Sequence, residues 1–304
     1  MFQLNHQHLL QIAQLNHFNI DQTGLVFVGL RGCSPIDEND NEFREAVELE
    51  LNAIDYTHLR CTMLQWNIDK KTVAAFPAST VPHEKHVSKS VLNNGVGTNR
   101  LMTGFYRDYR KGYHKAGKPT GHAAFRQDGK LPIRRTADDT DYDAEDRVEF
   151  VRPYDNIHAS WCPGMDYPKY ASAGCQVIMG FPKCSKRGAN SQHTGPWRAF
   201  QKHAYDIEQV SFNYMLLNGR DFRKVAINPN KKYSARLRYG SNGPLVGTLQ
   251  QALKEKDYYE GFVDKDFGPR TLFALLNFQS NVFGHDADDG VVGPMTAGAL
   301  GIDW

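Results

Sequence analysis

Short, dense apolar runs dominate the first part of the chain: LVFVGLRG (25–32), RCTMLQWNI (60–68) and TVAAFPAST (72–80). Each is rich in β-branched or aromatic residues and ends at turn formers, which predicts three strands. Two other stretches space their apolar positions more widely. NEFREAVELELNAI (41–54) predicts an acid-rich helix, and WRAFQKHAYDIEQVSFNYML (197–216) a second one, with Phe200, Tyr205 and Val210 among its apolar positions. Strands with peripheral helices give a sheet-centred α+β class for this region rather than a bundle.

The texture changes after the polar stretch INPNKKYSARLRYGSNGP (227–244). LVGTLQQAL places Leu245, Leu249, Ala252 and Leu253 on one helical face, and TLFALLNFQ repeats the pattern with Leu272, Leu275 and Leu276, flanked by Gln279. An acidic turn leads through Gly-Pro into Thr and a helix twice, in VDKDFGPRT (263–271) and DADDGVVGPMT (286–296). The two Gly-Pro-x-Thr units begin at Gly268 and Gly293, an internal repeat of 25 residues. Asp and Gly make the turn, Pro sets φ at the mouth of the helix, and Thr follows in its first turn. The expected division is 1–232 for the mixed domain and 233–304 for a small three-helix bundle.

GSNGPLVGTLQQAL…GFVDKDFGPRTLFALLNFQ…DDGVVGPMTAGALG resembles the peptidoglycan-binding domain type 1 family over nearly all of its length. The resemblance implies a three-helix module that holds a partner domain on murein. The repeated Asp and Gly-Pro residues then serve folding, and ligand contacts come from exposed polar and aromatic groups.

The chemistry concentrates in DNIHASWCPGMDYPKYASAGCQVIMG (155–180), where Cys175 follows His158 by 17 residues, reached through Ser172, Ala173 and Gly174. A thiol nucleophile needs a base within hydrogen-bond reach, which a histidine on a neighbouring strand can supply. A glycine before it lets backbone N–H groups approach an oxyanion. IHASW followed by SAGCQVI resembles the signature of the L,D-transpeptidase (YkuD-like) family. That resemblance implies a β-rich sandwich, stem-peptide substrates and a cysteine thioester. It makes Cys175 the nucleophile and His158 its base. Gly174 and the backbone at Cys175 then lie beside the oxyanion, and Ser172 shapes the loop. Two positions depart from the family: Ala173 replaces its histidine, and Val177 stands where many members carry an arginine.

Around this core, Tyr154 and Trp161 flank His158 as cleft walls or core residues, and His114 and His122 are either loop histidines or groove residues. Arg152 or Arg187 are stand-ins for the missing arginine. His158, Cys162, Cys175, Cys184 and His193 form a conceivable zinc set, although no HExxH or paired CxxC occurs. The acidic run 137–149 reads as a solvated loop; it has Ala144 where a calcium loop turns on glycine. No metal or cofactor is expected.

Composition narrows the partners. A net charge of +2 gives no electrostatic footprint for nucleic acid. No run is apolar enough for membrane insertion. Five irregularly spaced cysteines do not read as a disulfide framework. MFQLNHQHLLQIAQLN is not a cleavable export signal. A wall enzyme made in the cytoplasm without such a signal implies another delivery route, as a phage lysin or a secreted antibacterial effector with an immunity partner. The expectation is a cysteine acyltransferase on peptidoglycan stems and glycan, giving cross-linking, exchange or carboxypeptidase and endopeptidase activity. The alternatives are a zinc-dependent or other wall peptidase or amidase, and a non-catalytic wall-binding protein with a degenerate enzyme domain.

Overall fold

The apolar run at 25–30 is buried throughout because it separates two cores. Leu25 and Phe27 point into one, and Val26, Val28 and Leu30 into the other. The computed structural model describes residues 1–304 apart from 94, 137, 138, 143–145, 285, 286 and 304. Its strands are β1 (Phe2–Asn5), β2 (Leu25–Arg31), β3 (Cys33–Pro35), β4 (Ala46–Leu51), β5 (Cys61–Asn67), β6 (Thr72–Ser79) and β7 (Thr98–Leu101). They continue with β8 (Gly104–His114), β9 (His122–Arg126), β10 (Leu131–Thr136), β11 (Arg147–Val151), β12 (Ile157–Ala159), β13 (Gln176–Ile178) and β14 (Ser211–Asn218).

Eight strands close into a barrel in the order β12-β13-β6-β5-β2-β14-β8-β9. The pairings β12–β13 and β14–β2 are parallel; the ring closes through Ile157 opposite Phe125. Two three-stranded sheets, β1-β4-β3 and β11-β10-β7, accompany it. The expected sandwich is thus replaced by a closed barrel, which leaves its eight strands no unpaired edge. Phe27, Phe76, Phe125 and Phe212 fill one core together with Trp197 and Phe200. The other lies against α1 (His6–Leu15), where Leu9, Ile12 and Ala13 meet Val28, Leu64 and Trp66.

Both helices expected from spacing in this domain require correction. Residues 46–51 form β4, in which Val47 and Leu49 are buried and Glu48 and Glu50 exposed. The acids belong to the solvent face of a period-two pattern. In the second case α3 (Gly195–Tyr205) is a helix, burying Trp197, Phe200 and Ala204. It ends before a polar break, after which β14 alternates Phe212, Tyr214 and Leu216 with Met215 and Leu217 between the two cores. Val210, read as apolar helix face, is exposed. Two further helices, α2 (Glu84–Leu92) and α4 (Gly219–Ala226), complete this part of the chain.

The C-terminal module comprises α5 (Pro244–Glu255), α6 (Pro269–Phe283) and α7 (Pro294–Leu300), each opened by its proline. A buried glutamine organises each of the two repeated loops. Gln250 Nε2 donates to Asp264 Oδ1 (2.6 Å), the Asp266 carbonyl (3.1 Å) and Thr271 Oγ1 (3.0 Å), while its Oε1 accepts from Lys265 N. Gln279 Nε2 repeats this with Asp289 Oδ1 (2.9 Å), the Val291 carbonyl (3.1 Å) and Thr296 Oγ1 (3.5 Å), and its Oε1 accepts from Gly290 N. The repeated Asp and Thr are therefore partners of an amide buried beneath the loop. The module also binds to the rest of the chain: Arg236 N donates to the Leu15 carbonyl, Asn242 N to that of His17, and Met102 joins the module's core.

Leucine at position 279 keeps the volume but removes every one of these hydrogen bonds. Gln279→Leu is expected to destabilise the module by about 2 kcal/mol, and Gln250→Leu similarly, because buried partners are left unpaired. Guanidinium unfolding read by circular dichroism checks this; exposed Gln251→Leu should stay within about 0.5 kcal/mol of the parent.

Candidate active site

Parallel pairing of β12 with β13 sets His158 opposite Val177, so the residue just before β13, Cys175, arrives beside the histidine strand. Of the five cysteines, four are buried and Cys175 alone is half-buried. One ring atom each from His114 and His158 and the Cys175 sulfur lie within 4.8 Å of one another. The β8–β9 hairpin sets His114 directly across from His122. The His114 and His158 rings stack at 4.0 Å between centroids, and His122 meets His158 edge-on at 5.2 Å.

Hydrogen bonds fix the ring tautomers. His158 Nδ1 contacts the Ala159 carbonyl at 2.8 Å, so it carries the proton and leaves Nε2 as the basic atom. His114 Nδ1 instead accepts from Asn156 Nδ2, whose amide oxygen accepts from Gln127 N. His122 Nδ1 donates to the Thr120 carbonyl, and its buried Nε2 has no partner among the described residues.

The loop that carries Cys175 is held from beneath. Ser172 Oγ donates to the Cys175 carbonyl (2.6 Å) and accepts from Gly174 N (3.1 Å). The Gly174 N–H is therefore engaged. The Cys175 N–H donates to no other residue among the described residues. Gly174 has φ +138°, and a Cβ there would meet Asn99 Nδ2 and Asp155 Oδ1. Asn99 itself hydrogen-bonds the buried Asp155 carboxyl. Glycine is needed both for conformation and for close approach.

Burial sets the protonation states. It depresses His158 well below the usual imidazole range, helped by His114 and His122. His114 falls to about 3 through burial and then His122. Burial, then the Asp155 carboxyl, pushes the Cys175 thiol up to about 12. Asp155 is itself raised well above the carboxylate range by burial. The resting pair is a neutral thiol beside a neutral imidazole.

The other expected residues separate. Trp161 and His122 line a cavity of about 210 Å³ with His114, His158, Lys115, Thr120, Ala171 and Lys186. Tyr154 is exposed, and its carbonyl lies 3.7 Å from Cys175 Sγ. Arg152 is exposed and does not line the cavity. Arg187 is spent on the Pro182 and Gln192 carbonyls. Val177 is fully buried with Leu59, Cys162, Tyr170 and Met179, an apolar cluster unsuited to an arginine. Ala173 is exposed. Of the zinc set, only His158 and Cys175 come together, with His114 in place of the rest. His193 accepts from Lys183 N and Trp197 Nε1, and Cys162 Sγ contacts the Gly164 carbonyl. Zinc bonds of about 2.0 Å to nitrogen and 2.3 Å to sulfur need ligand atoms about 3.5 Å apart and lying in each ring plane; the three atoms are within 4.8 Å of one another, and the stacked His114 ring would have to turn before it and His158 could aim at one ion. The acidic run 137–149 lies partly outside the described residues.

Residues 242–300 match the family model described as "Putative peptidoglycan binding domain". The C-terminal module is a peptidoglycan-binding domain. The match supports peptidoglycan as a partner, through this module. Comparison with curated proteins and with solved structures gives no match. A groove on the module, about 500 Å³, is lined by Tyr258, Tyr259, Glu260, Arg270, Phe273 and Asn277, among others. No helix among the described residues is long and apolar enough to cross a membrane.

The folded values of His114, His122 and His158 lie below the unfolded value near 6.5, so the unfolded chain takes up protons first as pH falls. The stability they confer is complete above about pH 6.5 and is lost on acidification; the melting temperature should be flat above about pH 7 and fall below about pH 6. Alkylation of Cys175 by iodoacetamide should accelerate steadily from about pH 6 to about pH 10, where a plateau at the acid end would indicate a standing thiolate.

Proposed function

We propose that the protein is a peptidoglycan-acting cysteine acyltransferase whose nucleophile is Cys175. The observation that carries the reading is the juxtaposition of the one half-buried cysteine with a histidine whose free Nε2 is a base, in a chain that also holds a wall-binding module. His158 Nε2 takes the thiol proton as Sγ attacks a stem-peptide carbonyl, and the Cys175 N–H faces the developing oxyanion. The imidazolium, stacked on neutral His114, returns its proton to the leaving amine, and a thioester remains. An amine acceptor completes transpeptidation or exchange; water completes hydrolysis. Lys115 and Lys186, exposed and unpaired among the described residues, supply positive charge to the cavity beside this pair. They suit a substrate carboxylate that the buried Val177 cannot bind.

Metal-assisted hydrolysis is the second reading, favoured by the approach of His114, His158 and Cys175. In that case a zinc ion would supply an activated water, with these three side chains as ligands. Delivery as a lysin or injected effector, with an immunity partner in the latter case, belongs to the proposal as well. Its expected sign is growth arrest that depends on Cys175 when the chain is directed to the periplasm.

The deciding experiment is mass spectrometry of muropeptides after incubation of purified wall with the protein, with and without chelator. Cross-linked, exchanged or shortened stems that persist with metal-free protein and fall at least about 1000-fold in Cys175→Ala are expected. Activity abolished by chelation and restored by zinc would replace this reading with the metal one. Unchanged muropeptides, with the protein still pelleting on wall, would leave a binding protein. His114→Ala should slow turnover by about 10- to 100-fold without weakening wall binding, measured on the same material.

A further inference from the structure

Away from the histidine cluster, a cavity of about 270 Å³ lies at the seam between the barrel domain and the wall-binding module. Arg31, Arg100, Met102, Arg134 and Tyr142 line it from one side, and Asp288, Asp289 and Val291 from the other. Three guanidinium groups therefore face one small space, and their pairing differs.

Arg134 is neutralised by Asp288, with Nη2 at 2.7 Å from Oδ1 and 2.6 Å from the carbonyl. Arg238, equally buried outside the cavity, lies 3.6 Å from Asp221. Arg31 has no such counterion among the described residues. It is 5% exposed, and its Nε and Nη2 donate to Thr80 Oγ1 and to the Thr80 and Leu101 carbonyls. Its Nη1 donates to no group among the described residues, and no described carboxylate pairs with it. Arg100 donates to Tyr56 Oη and the Tyr142 carbonyl and stacks 4.4 Å from the Tyr142 ring centroid, again without a carboxylate. Asp289, the remaining acid of the lining, accepts from Gln279 and from Val291 N instead.

A buried guanidinium without an anion is costly, and a second one beside it adds repulsion. Burial and then Arg100 depress the Arg31 pKa, in keeping with that cost. Neutral oxygens satisfy some donors, but no carboxylate among the described residues compensates either charge. A planar or tetrahedral oxyanion matches the guanidinium fork and removes the deficit. The Tyr142 ring and the apolar atoms of Ile54, Met102 and Val291 leave room for a small organic body attached to it.

We propose that this seam cavity binds a small molecule through a carboxylate or phosphate group held between Arg31 and Arg100. The site is independent of the acyl-transfer reading, since it uses none of those residues. Because its walls come from both domains, occupancy stabilises their contact.

The test is thermal unfolding and calorimetric titration of the full chain with inorganic phosphate and, separately, glutarate, against chloride at equal ionic strength. The expected result is a rise in melting temperature and saturable heat with one of the two anions, which also identifies the oxyanion. Arg100→Gln should weaken that binding at least tenfold, and Cys175→Ala should leave it unchanged. Arg31→Gln is a second variant, informative if it folds; Arg100→Gln suffices otherwise, since that side chain is only half-buried. No shift with either anion, or equal shifts in the parent and Arg100→Gln, would overturn the proposal.

Discussion

A parallel ladder of three residue pairs decides whether His158 and Cys175 meet at all. Ile157–Ala159 and Gln176–Ile178 pair in register, and only that pairing brings residues 158 and 175 together across the intervening loop. Parallel strands cannot be joined by a tight turn, so the connection must be long. It is used here to build the apolar cluster of Leu59, Cys162, Tyr170, Val177 and Met179 behind the site. A slip by one residue would exchange the faces of His158 and Ile157, turning the ring into the barrel core and the isoleucine towards the other histidines.

That placement carries an electrostatic cost met by neutrality rather than by pairing. Three imidazoles, a thiol and the Asp155 carboxyl occupy one poorly hydrated region, and burial is the largest cause of the shift in each. Every shift favours the uncharged form. Charge therefore appears only transiently, when a proton moves from sulfur to Nε2 under the proposed mechanism. The stacked His114 ring and the hydrogen bond from His158 Nδ1 to the Ala159 carbonyl are already oriented to receive it. The seam cavity presents the opposite arrangement, with two guanidiniums whose charges the described residues do not compensate.

What the sequence revealed follows the range of the interaction concerned. The His158–Cys175 segment and the Gly-Pro-x-Thr repeat are local patterns, so both stood out. His114 and His122 could be read as loop residues, because their alignment depends on hairpin register and their approach to His158 on barrel closure. Residues 46–51 were misread since acids at alternate positions mimic an amphipathic helix over so short a span. Gln250 gave no signal and Gln279 registered only as the flank of an apolar stripe, because each stands one helix before its partners, at 14 and 10 residues from Asp264 and Asp289. A repeat search weighted towards glycine and proline does not align them. Arg31 gave no signal at all, since a basic residue ending a strand is ordinary until its burial without a counterion is seen.

The connection between the domains bears on how binding serves catalysis under the proposed function. A flexible tether would raise the local concentration of wall and leave the barrel free to sample orientations. Here the chain entering the module is tied down instead: Arg236 and Asn242 donate to carbonyls at and just past the end of α1, Leu237 bridges to Val292, and Ser241 Oγ donates to the Asn16 carbonyl. Arg134 adds a buried ion pair with Asp288 across the same seam. With these contacts formed, the module sets the attitude of the barrel as well as its distance. Docking on the wall then selects which stems can reach Cys175, and rigidity contributes specificity where a tether would contribute only proximity.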